Sequence, residues 1–211
     1  MKTVLKVQKI NSDAHLWDHE QIDELFSSAD WHDMACCPWE AQFPYKPNVK
    51  FQILHSDNRI YLRYEVEEEF IKAQYICPNE NVFEDSCVEF FISLDARQTY
   101  YNFEFNVLGT GLISYGGAVK AERRRLDPST VERVDTYSQV WQVDGGKKWV
   151  MILSIPKTIL NQEIKTGDTA YANFYKCGDG LPRPHYLSWH NIDSPTPNFH
   201  QPLFFGELIF G

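Results

Sequence analysis

The chain has 211 residues, and its 20 basic against 29 acidic side chains leave a net charge of −9. That length can bury a real core, while the acidic balance excludes the usual profile of a nucleic-acid or anionic-membrane binder, which needs clustered Lys and Arg. An aromatic content of 15% favours β-sheet, where rings and β-branched side chains fit the pleat.

Val4 to Ile10 reads as a first strand. The segment Met1 to Ile10 has no uninterrupted apolar run, so it is not a secretory signal. No stretch approaches the ~20 apolar residues of a membrane helix. The expected location is cytoplasmic, or secreted or periplasmic if a leader has been removed. Asp18 to Ser27 is a short helix with an acidic start. The long loop from Trp31 to Pro47 holds Trp39, Phe43 and Tyr45. Lys50 to Leu54 and Ile60 to Val66 flank the turn Ser56-Asp57-Asn58-Arg59 as a hairpin. Phe70 to Ile76 is a further strand candidate.

Two strands then follow with unusual faces. From Val88, alternation puts Val88, Phe90, Ile92 and Leu94 on one side and Glu89, Phe91 and Ser93 on the other. In the next run Tyr101, Phe103 and Phe105 oppose Asn102, Glu104 and Asn106. One face suits a core. The other carries carboxylates and amides beside rings, either as a solvated sheet face or as a site for a polar, ring-shaped ligand such as a sugar.

Leu112 to Tyr115 is a short strand among glycines. The run Arg123-Arg124-Arg125 reads as a solvated loop or strand end rather than a phosphate site. Gln139 to Val143 and Lys148 to Ile155 form a hairpin over Gly145-Gly146, and Pro156 opens a helical turn. Ala170 to Cys177, Tyr186 to Trp189 and Phe204 to Phe210 complete the strands. Both chain ends are strand-like and suited to pairing in a sheet. No linker cuts the chain. The expectation is an all-β, single-domain antiparallel β-sandwich with a short N-terminal helix and long loops.

The five cysteines, Cys36, Cys37, Cys77, Cys87 and Cys177, form no C-x-x-C pair. Their spacing argues against zinc and for buried thiols in a reducing compartment. Nucleophile elbows, phosphate loops and H-E-x-x-H are absent. His15 and His19 stand four apart at the helix entry, a poor place for a metal pair. No cofactor is required; calcium is the candidate ion, with Asp57, Asn58, Glu84 and Asp85 as hard oxygen ligands, although turn chemistry explains the first two equally. A heme-binding sandwich would need axial His or Met, and Met occurs only 3 times. Glu89 and Glu104 on neighbouring strands could also form an acid/base pair of a glycoside hydrolase or lyase, which needs two carboxyls roughly 5–9.5 Å apart. Carboxylates serve equally as acceptors for sugar hydroxyls, and nothing else in the chain builds a catalytic cleft. Phe83, Trp39 and Tyr45 in the long loop, and Phe199 between Asn198 and His200, are loop aromatics that can stack on a sugar while neighbouring polar groups fix its hydroxyls.

Four segments in order resemble family 9 carbohydrate-binding modules. Arg59 to Val66 (RIYLRYEV) resembles the family's Y-L-Y-V strand, and Asn81 to Ile92 (NVFEDSCVEFFI) its N-P-W-E-x-D-S-V-E-I-F-I signature. Leu187-Ser188-Trp189 is similar to its I-S-W strand, and Asn198 to Leu208 (NFHQPLFFGEL) to its terminal W-x-x-P-x-x-F-G-x-L run. The resemblance implies a β-sandwich that binds a mono- or oligosaccharide without catalysis. It places the clamp aromatics on Phe83 and Phe199, the acidic acceptor on Glu89, and the polar strand pair on Asn102 and Glu104; His200 adjoins the second clamp. Both family tryptophans are phenylalanine here, a smaller stacking surface. Glu104 stands where the family has arginine, which reverses the local charge. Nucleic acid and membrane are not expected partners, and the oligomeric state is left open.

Overall fold

A computed structural model describes residues 4–11, 13 and 19–211. The chain order begins β1 (Val4–Lys9), α1 (His19–Phe26), β2 (His32–Asp33), β3 (Asn48–His55), β4 (Arg59–Glu68), β5 (Cys87–Ser93), β6 (Tyr100–Asn106) and β7 (Gly111–Gly116). It continues β8 (Arg124–Arg125), α2 (Pro128–Val131), β9 (Asp135–Val143), β10 (Gly146–Pro156), β11 (Thr169–Cys177), β12 (Tyr186–Ser188) and β13 (Gly206–Phe210). The Asp18 and His15 ends of the helix and histidine expectations lie outside the described residues.

One sheet runs β8-β7-β6-β5-β11-β13-β1 and the other β1-β3-β4-β10-β9, so β1 is shared and the whole forms one curled sandwich. Val4–Val7 pair with Glu207–Phe210, and Gln8–Lys9 pair with Leu54–His55. Both of these pairings are parallel, whereas the other strand pairings are antiparallel. No hairpin fixes the direction of the first strand, so the sheet is mixed at this seam. The chain ends pair as the sequence suggested.

Period-two alternation makes the core. Val88, Phe90 and Ile92 of the first sheet meet Phe51, Leu62, Tyr64 and Met151 of the second, all buried. Phe51 stacks on Phe174 with centroids 3.9 Å apart, joining the two sheets; such pairs contribute about 0.5–1.5 kcal/mol beyond their area. On the outer face of the second sheet, Ile22 and Phe26 of α1 pack on Leu54, Tyr61 and Ile152. The Gln52 side chain donates to the Phe26 and Ala29 carbonyls at 3.1 and 2.7 Å, satisfying acceptors at the helix C-terminus.

The outer face of the first sheet is covered by loops rather than water. Trp39 is buried and donates to the Ser194 carbonyl at 2.8 Å, which lashes two of these loops together. Tyr45 likewise serves the scaffold, its hydroxyl accepting from the Glu69 amide at 2.7 Å. Phe70 to Ile76 is not a strand. Its amides turn inward instead: Gln74 N and Tyr75 N donate to the Asp85 carboxylate at 3.0 Å, and Lys72 N to Ser86 Oγ at 3.2 Å. Asn106 Nδ2 adds a third donor group to Asp85 at 3.0 Å. Asp85→Ala strands all three, and we expect a loss of about 2–4 kcal/mol in urea unfolding. A loss under ~1 kcal/mol would show that water replaces the carboxylate.

The carboxylates that the sequence offered to calcium are engaged by donors in this structure. Asp85 faces N–H donors and Lys72 Nζ at 3.8 Å, and Glu84 accepts from Tyr75 Oη at 2.6 Å and Asn81 Nδ2 at 3.3 Å. Asp57 is paired with Lys9 at 2.6 Å. A hard cation needs oxygen ligands converging on one point, and these carboxylates converge on donors.

Candidate functional site

The β5–β6 register sets Glu89 directly opposite Glu104 and Phe91 opposite Asn102. Alternation turns Glu89, Asn102 and Glu104 away from the core, and the loops above leave a concavity over them of about 270 Å³. All six residues singled out in the sequence line it: Phe83, Glu89, Asn102, Glu104, Phe199 and His200. Phe83 reaches it from the 3-10 turn Val82–Glu84, which breaks the chain just before β5. Phe199 is 8% exposed and stacks flat on Tyr175, centroids 4.2 Å apart and 11° between planes. One of its faces is thus spent on packing, and Phe83, half-buried, is the more available ring.

The floor is a charged, nearly dry network. Asn102 Nδ2 donates to Glu104 Oε1 at 2.7 Å. Arg123 donates from behind to Asn102 Oδ1, and also to the carbonyls of Gly116 at 2.8 Å and Tyr100 at 3.0 Å. These partners fix which way the amide points. The Arg123 guanidinium lies 3.7 Å from the Tyr100 ring centroid, a cation–π geometry. His200 Nδ1 pairs with Tyr100 Oη at 2.8 Å, and burial, helped by Arg123 and Lys120, lowers its pKa to about 3, so the ring stays neutral.

Arg123 is the functional residue that sequence reasoning missed. The solvated reading of the basic run holds for Arg124, which is exposed, but not for Arg123, and Arg125 turns to the cavity rim, where it donates to the Asn79 carbonyl and to Asn81 Oδ1 at 3.2 Å. The chain returns along β7 after the Gly116-Gly117 turn, and Arg123 is thereby folded under the sheet edge onto Asn102. The only sequence signal was that glycine pair, five residues before the run. Arg123 restores the positive charge that Glu104 removes from the strand pair.

Burial, with Glu104 opposite, holds the Glu89 carboxyl well above the usual range. Glu104 is pushed up to about 7 by burial, against the pull of Asn102 and the nearby basic groups. An acid whose folded pKa exceeds its ordinary 4.5 favours folding below that value and loses this support as pH rises. We therefore expect wild type to lose about 3 kcal/mol between pH 4.5 and 7 relative to Glu104→Gln. Parallel melting of the two proteins across that window measures it; curves that keep a constant separation would refute the assignment.

A sandwich whose loop-roofed sheet face joins buried carboxylates, an amide and rings in one small cavity defines a small-ligand-binding β-module. The chain belongs to carbohydrate-binding family 9, whose profile matches residues 20–210. A crystal structure of a candidate carbohydrate-binding protein from Bacteroides uniformis ATCC 8492 is 33% identical over the full length of both chains, with a TM-score of 0.88. A family 9 module from Caldicellulosiruptor kristjanssonii in complex with cellotriose is 15% identical, covering 99% of this chain and 93% of that one, with a TM-score of 0.67. The glucose complex of a family 9 module from that organism gives 14% identity, 99% and 96% coverage, and a TM-score of 0.66. No curated protein matches the chain.

Proposed function

We propose that the chain binds carbohydrate without catalysis, and that the ligand sits in the cavity over Glu89, Asn102 and Glu104. The observation that carries this reading is the convergence of two rings, two carboxyls, an amide and an imidazole on one 270 Å³ space. Rings offer apolar faces to the C–H side of a sugar. Carboxyls and amides supply the fixed acceptors and donors that hydroxyls need. A neutral Glu89 both donates and accepts, which suits a hydroxyl better than a bare carboxylate does. The volume is near the lower end of the roughly 300–1,000 Å³ of small-molecule pockets, so a single sugar or the end of a short oligosaccharide fits the space better than the interior of a long chain. The cellotriose and glucose bound by the Caldicellulosiruptor modules supply the natural first probes.

Hydrolysis by Glu89 and Glu104 is the weaker reading. A glycosidase separates its two carboxyls into one proton donor and one ionised partner by giving them unlike environments. Here both carboxyls are buried, and each is already engaged by a neighbouring donor, Glu104 by Asn102 Nδ2 at 2.7 Å and Glu89 by Cys177 Sγ at 3.0 Å.

Calorimetric titration with a panel of mono- and oligosaccharides at millimolar concentration tests the proposal. Phe83→Ala should weaken binding about tenfold, or ~1.4 kcal/mol, and Glu89→Ala, which removes both the donor and the acceptor, should weaken it similarly. Absence of binding across the panel, or binding untouched by both substitutions, would sink it.

A further inference from the structure

Beneath the cavity lies a cluster that the carbohydrate reading does not use in full. Cys87 and Cys177 are 90 positions apart in sequence yet directly opposite each other across β5 and β11. Glu89 stands two residues beyond Cys87, on the same face. All three are buried, and their ligating atoms lie within 4.8 Å of one another. Cys177 Sγ already approaches Glu89 Oε1 to 3.0 Å. Glu89 and Cys177 both line the cavity.

We infer that Cys87, Glu89 and Cys177 are the three protein ligands of a site for a thiophilic divalent cation of the zinc class, its fourth position facing the cavity. Tetrahedral zinc, with bonds of about 2.3 Å to sulfur and 2.0–2.2 Å to oxygen, sets its donors roughly 3.5–3.8 Å apart. The observed triangle, with one edge of 3.0 Å and none longer than 4.8 Å, brackets that size. Two sulfurs select zinc, cadmium or cobalt over calcium and magnesium, which prefer oxygen. Three protein ligands with an open fourth position is the arrangement of a zinc that accepts an exogenous oxygen, such as water or a ligand hydroxyl. Two thiolates and a carboxylate exceed the charge of the cation by one. Lys120, Arg123 and Arg125, lining the same cavity, outnumber its two other carboxyls, Glu104 and Asp179, by one and so offset that excess. The sequence alone argued against zinc because no two cysteines have ligand spacing. Strand pairing, not spacing, makes the site.

The test uses the full chain, reduced and stripped with chelator, titrated with Co²⁺ and then Cd²⁺. One equivalent of Co²⁺ should give a sulfur-to-cobalt charge-transfer band and the strong visible bands of tetrahedral cobalt. The ¹¹³Cd chemical shift of the wild type should fall in the range for two thiolates with oxygen, a readout independent of any substitution. Cys87→Ser and Cys177→Ser should each abolish the cobalt band. The triple variant Cys36→Ser, Cys37→Ser, Cys77→Ser, which removes the three remaining thiols, should keep it. No band up to millimolar Co²⁺, a cadmium shift outside the two-sulfur range, or a band that follows Cys36 and Cys37 would each overturn the proposal. No sugar enters the measurement, so its failure leaves the carbohydrate reading standing, and the reverse holds too.

Discussion

Lys176→Met is expected to lower the unfolding free energy by about 3–5 kcal/mol, the cost of leaving one member of a buried ion pair unpaired. The Lys176 ammonium is fully buried, 3.0 Å from the equally buried Glu68 carboxylate. It donates to the Cys177 carbonyl at 2.7 Å and lies 2.8 Å from His185 Nε2. Trp149 Nε1 donates to the other Glu68 oxygen at 2.7 Å. Burial and the adjacent Lys176 lower the His185 pKa to about 3, so its ring stays neutral and can accept from the ammonium. The network joins the end of β4 in one sheet to the end of β11 in the other. Methionine fills the space of the lysine stem but leaves the Glu68 charge without its counterion. For a chain of this length the loss corresponds to a fall in Tm on the order of 6–20 °C. The double variant Lys176→Met, Glu68→Gln should recover a large part of it, because the stranded charge is gone. Calorimetry of the wild type and both variants decides the matter. A single variant within ~1 kcal/mol of wild type, or a double variant no better than the single, would show that the pair contributes nothing net.

Arg123→Met should cost both stability and ligand affinity. The guanidinium satisfies the carbonyls of Tyr100, Gly116 and Gly117 and the Asn102 side chain. Stranding these partly buried acceptors should cost about 2–4 kcal/mol in denaturant unfolding. Asn102 then loses the contact that fixes its amide, and Glu104 loses a nearby positive charge. Sugar binding at the proposed site should weaken by tenfold or more, which corresponds to ~1.4 kcal/mol. Arg124→Met, at the exposed neighbouring position, should change neither quantity. Arg123→Lys should rescue little, because a single ammonium cannot span the fork of acceptors. If Arg124→Met and Arg123→Met behaved alike, the placement of Arg123 beneath the sheet edge would be wrong.

Much of the fold is legible in the sequence because strand alternation is a local property. Val88, Phe90 and Ile92 face the core and Glu89 faces away, as period two requires. The hairpin through Asp57-Asn58 and the one through Gly145-Gly146 follow from turn chemistry. Phe70 to Ile76 shows where local reasoning fails. The segment has strand-like composition, yet Asp85, a distant acceptor, takes its amides. Trp39 and Tyr45 fail as exposed rings for the same reason, since each finds a hydrogen-bond partner contributed by a remote loop.

The sequence by itself determined the β-sandwich and the two-faced β5–β6 pair, and its resemblance to family 9 modules pointed to six side chains that line one cavity. These follow from alternation and from short motifs, each readable within a dozen residues. Only the tertiary structure decided that the polar face is roofed rather than solvated, that Arg123 and not Arg124 reaches Asn102, and that Cys87 stands beside Cys177. The physical reason is strand order. Which strand lies next to which depends on long-range pairing across the whole chain, and no local pattern in β5 specifies β11 as its neighbour.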